Sequence, residues 1–205
     1  MKTVPLPRAA LPVLVAVPPL VVGAVGLGHP VFLDVGTAEQ WRLAHLLLLP
    51  AFPLLAASVF VLLRGERGPL AWCARALSLA YAVLYGSLDA IAGVGAPQQV
   101  LGTAGRGEPF PPIGDLYDIG DRLGALGVCA LAGAALVSGL VLHRRARSPL
   151  APLGAAVVLV ASYAFLRHHV FPPRGVLAML GIAAGFALLE LSRREPVRDR
   201  ARAAG

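Results

Sequence analysis

Apolar runs of about the length of one bilayer crossing recur along this chain, at 11–27, 41–63, 70–93, 119–142, 150–171 and 174–192. A helix rises about 1.5 Å per residue, so roughly 20 predominantly apolar residues cross a hydrocarbon core of about 30 Å. The predicted fold class is therefore all-α: a polytopic transmembrane bundle of six spans, forming one domain over 1–192 with a basic tail at 193–205. The composition agrees, since 57% of the residues are hydrophobic and 14% charged, which is too apolar for an ordinary soluble domain. The first run is the weakest: it is short, carries Pro18-Pro19, and follows Lys2 and Arg8 like the core of a signal peptide. Its cleavage would leave five spans.

Charge placement orients the spans. With both termini cytoplasmic, 13 of the 18 Lys and Arg residues fall inside and 5 outside, as the positive-inside rule predicts. The isoelectric point near 10.4 thus reports orientation in a cytoplasmic membrane and contact with lipid headgroups, and no nucleic-acid partner is expected. The bias to Arg, Ala, Gly and Pro matches a GC-rich bacterial genome. Cys73 and Cys129 lie at depths about 15 Å apart, too far for a disulfide.

Residues 42–71 match 122–151 without gaps at an offset of 80, with 11 of 30 positions identical, including Arg42/Arg122, Ser58/Ser138, Arg64/Arg144, Arg67/Arg147 and Pro69/Pro149. Each copy reads as a helix entering from outside, an Arg-x-x-Arg-x-Pro turn, and a helix returning. A tandem repeat of two hairpins, helices 2–3 and 4–5, is the corresponding expectation, with helices 1 and 6 flanking a four-helix core. The segment 94–118 is rich in Gly and Pro and reads as a long external loop. Phe110 and Tyr117 within it are placed to rest at the interface and cover the outer end.

The charge in the stretch 84-LYGSLDAIAG-93 marks a candidate site, because an ionisable group in a span needs a partner and is a functional hypothesis by default. Asp89 continues Ser78, Tyr81 and Tyr85 at spacings of 3, 4 and 4, so the four make one stripe facing the bundle. His45, Asp121, Arg122, His168 and His169 fall in the same outer slab, and the site residues predicted are these five with Tyr85 and Asp89. Three roles suit them. Asp89 could pair with Arg122 or Arg167 as a polar clasp. The cluster could bind or conduct a small ligand, ion or proton, helped by carbonyls freed at Pro50 and Pro53 in helix 2. Or histidine and carboxylate could hold zinc or a haem iron in a membrane enzyme. No H-E-x-x-H, C-x-x-C-H or G-x-S-x-G pattern occurs, and adjacent His168 and His169 diverge by about 100° on a helix, so they cannot readily share an ion. A non-catalytic partner of another membrane protein is the remaining class. Gly133, Gly139, Gly181 and Gly185, set among alanines, permit close helix approach, either within the bundle or in a homo-oligomer.

Overall fold

The structure, a computed structural model, describes residues 10–193. It is all-helical: α1 (Leu11–Leu27), α2 (Ala38–Leu62), α3 (Pro69–Leu88), α4 (Ala96–Gly105), α5 (Gly114–Ala146), α6 (Leu150–His168) and α7 (Arg174–Ser192). A π-helical segment, Asp89–Gly95, joins α3 to α4 without a break, so that 69–105 is one rod. Five rods are long and apolar enough to cross a membrane, and α1, with 17 residues, is a shorter apolar helix. The chain is an apolar helical bundle of multi-pass membrane character.

The helices close into a ring in chain order: α1 packs on α2, α2 on α3, α3 on α5, α5 on α6, α6 on α7, and α7 back on α1. The first and last helices thus complete the ring instead of flanking a four-helix core. Phe52, Leu55, Val59, Leu131, Val158 and Phe186 fill the middle, while Trp72, Val83, Val160, Tyr163 and Leu177 are exposed on the outside, where acyl chains would meet them. Small residues let the backbones approach. Gly139 lies against Ala155, and a Cβ on Gly154 would stand 2.8 Å from the Gly185 carbonyl oxygen. Gly133, Gly139, Gly181 and Gly185 all face neighbouring helices of the same chain. Cys73 and Cys129 are free and exposed.

The long loop expected at 94–118 is mostly helix. Only 106–113 connects α4 to α5, and α5 begins at Gly114. Pro97 stands in the first turn of α4, directly after the π-helical segment, and the rod runs on through it. The inner face of α4 buries Ala96 and Val100 against Ala38 and Ile113, and that packing outweighs the loop-like composition. Phe110 is half-exposed, and Tyr117 packs at the edge of this cluster. Helix α2 likewise runs unbroken through Pro50 and Pro53, so the irregular backbone of the bundle lies at Asp89–Gly95 instead.

An ion-pair clasp exists, but at the opposite end from the one predicted. Arg64 grips the buried Glu190 with two bonds of 2.6 and 2.5 Å, and Arg145 and Arg193 both reach Glu66. The Arg75 guanidinium donates to the Leu63 carbonyl at 2.7 Å, and Arg193 donates to the Leu62 and Arg64 carbonyls at 2.7 and 2.9 Å. These bonds satisfy acceptors that the end of α2 leaves without intrahelical partners. Most of the predicted basic tail lies outside the described residues.

Candidate metal centre

At the other end of the bundle, two interhelical connections and the start of α2 bring three histidines together. His29 follows α1, and its backbone N–H donates to the Gly26 carbonyl at 3.1 Å. His45 lies one turn after Trp41 on the buried face of α2. His169 is the first residue past α6, with φ +48°. That left-handed backbone is uncommon for a residue with a Cβ and is strained by about 1–3 kcal/mol. It ends the helix and turns the His169 ring inward, while His168 stays in the last helical turn.

The three rings offer nitrogens that all lie within 4.8 Å of one another, with His29 Nε2 and His45 Nε2 2.9 Å apart. Each Nδ1 is held from behind. His45 Nδ1 meets Asp89 Oδ1 at 2.5 Å, His29 Nδ1 meets the Pro30 carbonyl at 2.6 Å, and His169 Nδ1 meets the Tyr85 hydroxyl at 2.6 Å. A carbonyl and a carboxylate only accept, so His29 and His45 carry a proton on Nδ1. In their neutral forms both Nε2 atoms then present lone pairs to each other at 2.9 Å. Two acceptors at that distance need either one more proton in the His29–His45–Asp89 chain or a metal ion between them. His169 Nε2 is buried and has no partner among the described residues.

Burial, and after it the neighbouring His45 ring, push His29 down to about 4 against the pull of the Pro30 carbonyl. It is therefore neutral near pH 7, the form that ligates metals. An aromatic wall encloses the group: Trp41 stacks on His45 with centroids 5.6 Å apart, and Phe171 and Phe52 lie 5.4 and 5.7 Å from His169. Gly93, in the π-helical segment, lies directly against the His45 ring. The irregular turn therefore does two things: it starts with the carboxylate that holds His45, and four residues later it presents a residue without a side chain to the same ring. Such turns recur at functional sites.

Of the residues singled out in the sequence, His45, Tyr85, Asp89 and His169 meet here. Ser78, Tyr81, Tyr85 and Asp89 are all buried, as their spacing predicts. Asp89 pairs with His45, not with Arg122 or Arg167. His168 and Asp121 line an adjoining cavity of about 600 Å³, which His45 and His169 also border. Arg122 is exposed and makes no side-chain hydrogen bond or ion pair among the described residues, so it does not join the group. Sequence reasoning missed His29 and Gly93. The signal for His29 was its place in 28-GHP-30, directly after an apolar run at the same end as the other histidines; nothing in the sequence marks Gly93. No protein-family model, no curated protein and no solved structure matches this chain.

Proposed function

We propose that the protein is a multi-pass membrane metalloprotein that holds one divalent transition ion, zinc first, on Nε2 of His29, His45 and His169, and uses it for hydrolytic chemistry on a molecule bound in the adjoining cavity. The observation that carries this reading is the convergence of three imidazoles whose Nδ1 atoms are each already engaged. A single proton would reconcile His29 with His45 but leave His169 Nε2 buried and unpaired, whereas an ion serves all three. Histidine ligands about 2.0–2.1 Å from a tetrahedral ion stand roughly 3.3 Å apart, and the observed 2.9 Å and the 4.8 Å limit bracket that value. Asp89, Tyr85 and Pro30 then orient the rings from behind, with Asp89 raising the basicity of His45. Three neutral imidazoles with the fourth position open to a cavity are the pattern of catalytic zinc and not of structural zinc. Such an ion polarises a carbonyl or phosphoryl group and acidifies water. In the overall reaction water's oxygen bonds to that carbon or phosphorus, the bond to the leaving group breaks, and water's proton ends on the leaving group.

Haem suits the site poorly, because a macrocycle cannot enter between ligating nitrogens 2.9 Å apart. Conduction is also less favoured. Of the hydroxyls deeper in the bundle, those of Ser58, Ser78 and Ser138 donate to the Val15, Arg75 and Ala134 carbonyls, those of Tyr81 and Ser162 have no partner among the described residues, and side chains such as Phe52, Leu55 and Leu131 occupy the space between. Among the described residues the hydrogen bonds that run inward from the histidines end at the Tyr85 hydroxyl and Asp89. The distribution of Lys and Arg supports a reading with this end outside a cytoplasmic membrane and both termini inside.

Elemental analysis of detergent-purified protein tests the reading. About one zinc per chain is expected, lost in His29→Ala, His45→Ala and His169→Ala and kept in His143→Ala, whose ring is bound to the Ser148 carbonyl at the far end. Failure of the wild type to retain zinc after loading, or retention by all three variants, refutes it.

A further inference from the structure

We infer that the cavity takes its substrate sideways from the bilayer, and that this substrate is an amphiphile with an anionic head, not a water-soluble molecule arriving from the end. The inference rests on the metal reading and adds the substrate class. The cavity does not stop at the histidines. Its wall continues along α5 as Gly124, Ala125 and Val128 and along α6 as Tyr163 and Leu166. Val128 lies seven residues past Asp121, about 10 Å farther along the helix axis, and Tyr163 six residues before His169, about 9 Å. The cavity therefore descends two turns into the apolar part of the bundle.

At that level it reaches the outer surface. Tyr163 is 67% exposed and Leu166 41%, and around them Leu126, Leu159 and Val160 are exposed as well. These are the residues an acyl-chain environment would cover. The opposite side is closed: Gly120, Gly124 and Gly127 bring α5 tightly onto Ala92, Leu88 and Tyr85. An opening between α5 and α6, walled by apolar side chains at bilayer depth, admits a chain and excludes hydrated solutes. Beside the cavity toward the end of α6 stands Arg167, exposed and without an ion-pair partner among the described residues. A guanidinium there suits a phosphate or carboxylate at the headgroup level. The chain would lie against Ala125, Val128 and Leu166, which places the junction of head and chain beside His45 and His169.

Two probes separate the routes. Cobalt(II)-loaded protein in phospholipid nanodiscs is titrated with dodecanohydroxamate and with acetohydroxamate, which share a metal-chelating head, and binding is read from the visible cobalt absorption. We expect the long-chain probe to bind at least about tenfold more tightly than the short one. Ala125→Trp, which narrows the opening, should abolish that preference while cobalt stays bound; Tyr163→Ala should keep it, and Arg167→Gln, which removes a contact to the shared head, should weaken both probes about tenfold. Leu166→Trp serves in place of Ala125→Trp if the latter does not fold. Equal effects of both probes, or a preference unchanged by the tryptophan variants, overturn lateral access and leave the metal site standing. Absence of a cobalt spectrum in the wild type overturns the metal reading and this inference with it.

Discussion

Gly93→Ala perturbs the candidate centre without removing any ligand or charge. A Cβ at position 93 would lie 2.5 Å from His45 Cγ and 2.8 Å from Cε1, with Nδ1 closer still, whereas carbon atoms in ordinary contact stand about 3.5–4.0 Å apart. The helical backbone on one side and a buried ring on the other leave little freedom, so the imidazole must retreat by about 1 Å. The same shift stretches its bond to Asp89, now 2.5 Å, beyond useful hydrogen-bonding range and carries Nε2 away from His29 and His169. Overpacking of this kind destabilises by about 1–3 kcal/mol, and loss of the orienting carboxylate weakens metal affinity about 10–100-fold. Gly86→Ala is the matched control on the same rod, since nothing lies within 4 Å of a Cβ there, and its effect on helix propensity is slightly stabilising. Zinc affinity is read by competition with a chromophoric chelator, and stability by thermal unfolding with and without zinc. Wild-type zinc affinity in Gly93→Ala, or equal behaviour of the two variants, would refute the packing account of His45.

Asp89→Asn keeps the shape but removes the charge behind His45, and zinc affinity should fall about 10–100-fold in the same competition assay. Arg64→Ala strands Glu190, which is 1% exposed, and should lower stability by about 2–4 kcal/mol in denaturant titrations; Glu190→Gln should be milder, because the Arg64 side chain is 37% exposed and can turn to water. Unfolding of the metal-free protein should depend on pH: His29 lies near 4 when folded against 6.5 unfolded, so the unfolded chain binds a proton between those values that the folded chain refuses. Stability then rises with pH across that window and is lost as pH falls through it, by at most about 3.4 kcal/mol; a slope unaltered in His29→Ala would contradict the assignment. Arg122→Ala, at an exposed position, should change stability by less than about 0.5 kcal/mol.

Hydropathy alone determined that this chain is a bundle of apolar helices and located each of them to within a few residues except around 94–118, because the length of a bilayer crossing and the need to satisfy every backbone group leave few alternatives. Helical spacing also determined that Ser78, Tyr81, Tyr85 and Asp89 are buried on one face, since the period of a helix is a local property of the backbone. The partner of Asp89 was not local. Arg122 is charged and stands at a suitable depth, yet it is His45 that faces Asp89 across the interface of α2 with the π-helical turn, and neither the ring order of the helices nor that turn is written in any single segment. Tertiary packing alone decided that 94–105 is helix, since burial of Ala96 and Val100 on the start of α2 outweighs glycine and proline. It also decided that His169 leaves its helix with a positive φ, and that His29, two residues past the least certain span, completes the group of three. Nitrogens within 4.8 Å of one another from residues as far apart as 29 and 169 are a consequence of how the ring of helices closes, because ligand geometry depends on the relative placement of whole elements and not on the spacing of residues within one.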